Sequence, residues 1–390
     1  MHYQQRYEEI YKSSPEGTAF CPYRICPVGA HSDHNLGKIL GLAIDKGIHI
    51  AYGKTENGDV EIESLQFDSK VKWNISSVPQ VKQGDWADYL RGATIALSRR
   101  QPLSCGMRAV IEGSLPIGGL SSSAAVIIVF LCALCRVNNI KLSDSELIDT
   151  ALEAEKGYVG VSCGKLDQSC EVYSRKNKLL YLDTKDDSYE LIDTNPKMKP
   201  YKIAIFFSGV ERTLVGSAFN MRVDEARSAA YALKAFSGME YGKFEETNLR
   251  DIPVEIYHKY KDRLPENFMK RAEHWYTEFD RVQRGAEAWR RGDIEELGRI
   301  SFESGRSSIY NWETGSPELI KLYEIMTHTD GIYGGRFSGA GFKGCCMALI
   351  APEFEESIKE KVTAEYLNTF PLLKDRFSVC ICESADGVGK

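Results

Sequence analysis

The sequence predicts an α+β protein of two domains. At 390 residues the chain is longer than a single core usually serves. Strand-like and helix-like runs mix without a regular strand–helix–strand repeat, which argues against a doubly wound sheet. A polar stretch from Thr194 to Pro200 separates two apolar regions, so residues 1–195 and 196–390 are the expected domains.

In chain order, Ile48 to Tyr52 and Val60 to Leu65 read as strands. Glu56-Asn57-Gly58-Asp59 between them predicts a hairpin, because Asn-Gly adopts the tight turns that reverse a strand. Met107 to Glu112 alternates as a strand and leads into a Gly/Ser loop, and Val126 to Cys135 is an apolar helix. Leu142 to Lys156 has helical spacing, opened by Ser143-Asp144-Ser145-Glu146. Lys178 to Asp183 and Ile203 to Ser208 are short apolar strands. Ser217 to Arg306 is mainly helical. Strands return at Met347 to Ile350 and Phe377 to Cys382, with a helix between them.

Hydrophobic residues at 43% beside 27% charged residues place the chain among soluble globular proteins. A net charge of −6 with no basic block gives no footing for nucleic acid or an anionic membrane as partner. Met1 to Ser14 is polar and lacks the apolar core of a signal peptide. The longest apolar run, Ala124 to Cys135, is too short to span a bilayer. Eleven cysteines at irregular spacing fit free thiols in a reducing cytoplasm. Neither Cys345-Cys346 nor Cys132 with Cys135 has a matching Cys/His pair at zinc-site spacing.

Pro116-Ile-Gly-Gly-Leu-Ser-Ser-Ser-Ala-Ala125 stands at the start of the apolar helix. The first-turn N–H groups and the positive end of the dipole attract anions. Gly118 and Gly119 allow close backbone approach, and Ser121, Ser122 and Ser123 offer hydroxyls to phosphate oxygens or a hard cation. Taken alone, the segment fits a nucleotide-phosphate loop and a well-capped buried helix equally well. Gly339-Ala-Gly-Phe-Lys-Gly344 matches a dinucleotide-binding pattern, but a strand rather than a helix follows it, so that reading fails. Its glycines still mark a tight loop able to touch a ligand.

Three further segments hold polar residues in apolar surroundings: Arg24-Ile-Cys-Pro-Val-Gly-Ala-His-Ser-Asp33, read as a Pro/Gly turn; Ala154-Glu155-Lys-Gly-Tyr; and Cys163-Gly-Lys-Leu-Asp167-Gln. Singly they read as a turn, an exposed helical glutamate and a helix-start aspartate. Together with the Gly/Ser loop they supply what phosphoryl transfer needs: a phosphate cradle, Mg²⁺ ligands, a cation and a carboxylate at the acceptor hydroxyl.

In order and spacing the segments resemble the GHMP small-molecule kinases, and within them the galactokinase family. Pro22–Asn35 is similar to the first, sugar-signature motif, Pro116–Ala125 to the phosphate loop, and Gly339–Gly344 to the glycine-rich third motif. The resemblance runs from about Ala19 to Asp386. It implies a ribosomal-protein-S5-like N-terminal domain, a ferredoxin-like α/β C-terminal domain and an active site between them. It further implies ATP and Mg²⁺ as cofactors and a small sugar or sugar acid as partner; the oligomeric state stays open.

By the same resemblance, Gly118, Gly119, Leu120, Ser121, Ser122, Ser123 and Ala124 hold the nucleotide phosphates, and Ser123 and Glu155 hold Mg²⁺. Asp167 faces the anomeric hydroxyl, as base or as orienting group, with Arg24 beside it. Ala30, His31, Asp33, His34, Gly164 and Phe219 line the sugar. Gly339, Gly341 and Phe342 form the third motif.

Ala30 departs from the pattern, because galactokinases carry glutamate there against the hydroxymethyl end of galactose. A tolerant site and a substrate with a carboxylate at C6 both account for it. In the second reading the alanine removes a like-charge clash, and His34 is a possible positive partner. This combination resembles the galacturonokinases. Phe219 stands where many galactokinases have a sugar-contacting tyrosine. Plain galactokinase, or a kinase for another uronate, is the alternative. A non-catalytic sugar sensor is the rival outside enzymes, disfavoured by the intact Ser121–Ala125 loop with Glu155 and Asp167.

Overall fold

The structure, a computed structural model, describes residues 2–210 and 216–389. Its strands are β1 (Gly17–Val28), β2 (Lys38–Thr55), β3 (Asp59–Ser64), β4 (Ser69–Asn74), β5 (Gly106–Gly113), β6 (Lys178–Asp183), β7 (Tyr189–Asp193), β8 (Lys202–Phe207), β9 (Ile332–Phe337), β10 (Cys345–Ile350), β11 (Ser378–Cys382) and β12 (Ser384–Ala385). The helices are α1 (His2–Tyr11), α2 (Asp88–Ser98), α3 (Ser122–Val137), α4 (Asp144–Glu153), α5 (Leu166–Tyr173), α6 (Gly216–Ser237), α7 (Val254–Tyr260), α8 (Glu266–Arg291), α9 (Ile294–Tyr310), α10 (Pro317–Thr327) and α11 (Glu355–Thr369).

One sheet runs β4-β3-β5-β2-β6-β7, with β1 and β12 also paired to β2. The other runs β11-β8-β10-β9. Mixed helices and sheets in this arrangement are the α+β architecture expected. The first sheet draws on the chain up to Asp193 and the second starts at Lys202. The C-terminus then recrosses, since Ser384 and Ala385 pair with Ile44 and Ala43 of β2.

The hairpin expected at Glu56–Asp59 does not form as a pair. The turn reverses the chain, but β5 slides between the two strands, antiparallel to β2 and parallel to β3. Gly106 makes room for this: a Cβ there would lie 2.1 Å from the Asp59 carbonyl oxygen. Turn chemistry set the reversal, and burial of a third strand set the partners.

The first motif is likewise more than a turn. Arg24 lies in β1, opposite Ala43 of β2, next to a register irregularity between Pro22 and Arg24. Such irregularities re-aim a strand side chain.

The apolar run Val126–Cys135 forms the body of α3, which packs on β1 and β2 and is buried along most of its length. Ser143 and Glu146 close a capping box at the start of α4. That helix ends at Glu153, earlier than its spacing suggests, and Ala154–Val159 continues as a single π-helical turn. Helices α8 and α9 lie against β1, so the long helical segment covers the first motif. No helix among the described residues is long and apolar enough to cross a membrane.

Candidate active site

Arg24 is the junction of the site. Its Nε donates to Asp167 Oδ1 at 2.7 Å, and Nη2 lies 2.7 Å from the same oxygen. Nη1 donates to the Gly119 carbonyl at 3.2 Å and to Ser338 Oγ at 3.4 Å. One guanidinium thus ties β1 to the α5 start, the phosphate loop and the residue that precedes the third motif. Burial works against its charge, but the Asp167 carboxylate more than offsets this and pushes the Arg24 pKa up. Arg24 is buried, while Asp167 keeps 26% side-chain exposure and so stays open to a reactant.

The two glycine loops meet backbone to backbone. A Cβ on Gly118 would sit 2.9 Å from Gly344 Cα, and one on Gly339 would sit 2.9 Å from Gly119 Cα. Gly118, Gly119, Gly339, Gly341 and Gly344 all have positive φ, so side chains there would be strained as well as crowded. Gly339–Gly344 is the turn between antiparallel β9 and β10, which agrees with rejecting the dinucleotide reading. Phe342 is half-buried on that turn.

Ser121 precedes α3 with φ 63° and makes no capping bond, so the capped-helix alternative is not met. Its hydroxyl is buried, as are Leu120 and Ala124, whereas Ser122 and Ser123 in the first turn remain partly exposed. Two of the three loop serines rather than all three are therefore accessible.

Glu155 is buried on the π-helical turn, a device common at functional sites. Its Oε2 accepts from Gln168 Nε2 at 2.8 Å, which links it to the residue beside Asp167. Among the described residues no group of three or more His, Cys, Asp or Glu could hold a resident metal. One carboxylate and nearby serine hydroxyls suit a cation that keeps water and brings phosphate oxygens with it.

Asp33 Oδ2 accepts the Leu166 N–H at 3.1 Å, at the start of α5. A side chain on Gly164 would strike that carboxylate, its Cβ lying 2.1 Å from Oδ2. Desolvation, followed by the charge of Asp167, pushes the Asp33 carboxyl up to about 6.

The far end of the site is a stack of rings. His31 lies on Trp312 at 5.2 Å between centroids, His34 lies on Trp312 at 5.1 Å, and Phe219 of α6 faces both histidines at 6.3 and 6.1 Å. Burial, then neighbouring cations, pushes His34 down to about 3. The positive partner expected there is therefore a neutral imidazole, because a buried ring pays too much for its charge.

Residues that sequence reasoning missed hold this end in place. The Gly29 N–H donates to Glu278 Oε1 at 2.6 Å, His274 Nε2–H to the Ala30 carbonyl at 3.1 Å, and Trp275 Nε1–H to the Ser32 carbonyl at 3.2 Å. Burial alone would raise the Glu278 pKa, but Arg281 and Arg336 beside it bring it down to about 2. The only sequence signal for these residues was a polar group on the apolar face of α8.

Three regions match family models: galactokinase galactose-binding signature over residues 5–54, GHMP kinases N-terminal domain over 88–175 and GHMP kinases C-terminal over 286–368. A galacturonokinase of Arabidopsis thaliana is 36% identical, covering 94% of this chain and 91% of its own. The chain belongs to the GHMP kinases. A galactokinase of Roseiflexus is 28% identical over 99% of this chain and 96% of its own. The crystal structure of Lactococcus lactis galactokinase complexed with galactose superposes with a TM-score of 0.90 at 25% identity, over 99% of this chain and 98% of that one. As a GHMP kinase of this branch, the protein is an ATP-using phosphotransferase acting on a sugar hydroxyl.

Proposed function

We propose that the protein transfers the γ-phosphoryl group of MgATP to the anomeric hydroxyl of D-galacturonate, giving galacturonate 1-phosphate and ADP. The observation that carries the transfer chemistry is the Arg24–Asp167 pair braced on the Gly119 carbonyl. The sugar acid is favoured by Ala30, which puts no carboxylate where the galactokinase pattern has one, and by the 36% identity to a galacturonokinase.

In this reading Asp167 receives or orients the O1 proton as the bond from O1 to the γ-phosphorus forms and the bridging oxygen leaves with ADP. Arg24 keeps Asp167 in place and balances negative charge on the transferring group. The N–H groups of Gly118 to Ala124 cradle the phosphates at the positive end of α3. Glu155 and Ser123 would hold Mg²⁺, which would supply positive charge against the phosphate oxygens. His31 and Asp33 bind sugar hydroxyls, and Gly164 and Phe219 complete the wall.

The test is ATP consumption across galacturonate, galactose, glucuronate and their amino-sugar relatives. Galacturonate should give the highest kcat/KM. Preference for galactose would overturn the sugar-acid reading while leaving the kinase assignment intact.

A further inference from the structure

The protonation of His34 follows from its neighbours. The Leu249 N–H donates to Asn35 Oδ1 at 3.1 Å, which fixes the orientation of that amide. Asn35 Nδ2 then meets His34 Nδ1 at 3.0 Å, and an amide nitrogen only donates. His34 Nδ1 is the acceptor, so the neutral ring carries its proton on Nε2. That Nε2 is buried and has no acceptor among the described residues.

Two more donors near His34 share this state. Trp312, stacked on His34, has a buried Nε1–H with no acceptor among the described residues. Arg227 of α6 has a buried Nε with no acceptor and no acidic partner among the described residues. Its charge reaches His34, where it opposes protonation of the ring. Helix α6 packs on the turn that carries His34, and Asn220 near its start clamps the loop before Gly164 through Ser162 N–H at 3.0 Å and the Gly160 carbonyl at 3.2 Å. Asp224, one turn before Arg227 on the helix, forms no ion pair with it among the described residues, and Glu225 is occupied by Arg222 and Arg271.

Buried polar groups are normally paired, so three unpaired donors in one neighbourhood call for a ligand. All three only donate, and one is a cation. A hydroxymethyl group brings a donor of its own and no charge. A carboxylate brings acceptors alone and a negative charge.

We propose that the His34 Nε2–H and the Arg227 guanidinium bind the C6 carboxylate of the sugar acid, with Trp312 Nε1–H as a further donor, and that Arg227 sets the preference for an acid over a neutral hexose. This rests on the galacturonate reading above and names the groups that deliver it.

The test compares kcat/KM for galacturonate, galacturonate methyl ester and galactose in wild type, Arg227→Met and Arg227→Lys. Wild type should favour the acid over its neutral ester at least tenfold, a measurement that needs no variant to fold. Arg227→Met should lower the acid-to-galactose ratio at least thirtyfold, mainly through KM, and Arg227→Lys should recover part of it. MgATP affinity, measured separately, reports whether each variant keeps its fold. An unchanged ratio in Arg227→Met, or equal use of acid and ester by wild type, would overturn the role of Arg227 even where galacturonate remains preferred. A wild type that prefers galactose removes the galacturonate reading and this inference with it.

Discussion

At the reacting end of the site, Arg24 and Asp167 meet as a cation and an anion whose bonds are already made. At the far end, His31, His34 and Trp312 form a neutral stack in which the His34 Nε2–H, the Trp312 Nε1–H, the His31 Nε2 and the Arg227 Nε have no partner among the described residues. The first end is complete without substrate, as preorganised catalytic groups should be. The second is completed by what it binds. Changes at the reacting end should therefore lower turnover for every sugar, and changes at the far end should alter the choice among sugars.

The largest expected effect tests the first half of that contrast. Asp167→Asn keeps the shape but removes charge and basicity, so kcat should fall about 10²–10⁴-fold. MgATP affinity and the ratio of kcat/KM between sugars should hold. Near-normal turnover would take Asp167 out of the chemistry.

Glu155→Ala comes next. It deletes a buried carboxylate and strands Gln168 Nε2, which donates to it. The Mg²⁺ concentration for half-maximal rate should rise about 10- to 100-fold, again for all sugars alike. A Mg²⁺ titration that matches wild type would move the metal elsewhere.

Ala30→Glu probes the far end. Two like charges ~4 Å apart at an effective dielectric of ~20 repel by about 4 kcal/mol. Water and the Arg227 charge would cut this to about 1–2 kcal/mol, or roughly tenfold in the galacturonate-to-galactose ratio. His274 holds the Ala30 carbonyl, so the backbone should stay in place. Equal loss for both sugars would mean that the substitution disturbs the fold rather than selectivity.

The reacting end was far more legible in the sequence. Its residues cluster in short segments where glycines, serines and acids occur in unusual company, and phosphate chemistry demands that combination. The far end is assembled from Ala30–Asn35, Phe219, Leu249, His274, Glu278 and Trp312, contributed by segments up to about 280 residues apart. Helical periodicity marks which face of α8 is buried, but it does not say that His274 and Glu278 on that face grip the first motif. The Asn57-Gly58 turn misled for a related reason: a local reversal does not reveal which strand will occupy the gap. His34 misled because charge depends on burial, which a sequence does not show at a single turn residue.

Asp33 lies on the seam between the two ends and should give the smallest effect. Its folded pKa is pushed up to about 6, above the unfolded value of 3.8. The folded protein therefore binds this proton more tightly than the unfolded chain does. Keeping Asp33 ionised costs stability above pH 6, and the cost fades as pH falls through 6 toward 3.8. Two units correspond to about 3 kcal/mol, and partial exposure of the residue reduces this to about 1–2 kcal/mol. Asp33→Asn retains an oxygen for the Leu166 N–H and carries no charge. Its Tm at pH 7.5 should rise by a few degrees, and the slope of stability against pH between 4 and 6 should flatten. Sugar KM should meanwhile increase several-fold, because a neutral amide is a weaker acceptor for hydroxyls than a carboxylate. In wild type the same rise in KM should appear as pH drops below 6. Asp33 binds hydroxyls common to both sugars, so KM for galactose and galacturonate should climb together. If only galacturonate responds, Asp33 acts through His34, and the seam belongs to the end that reads the acid rather than to the end that transfers the phosphate.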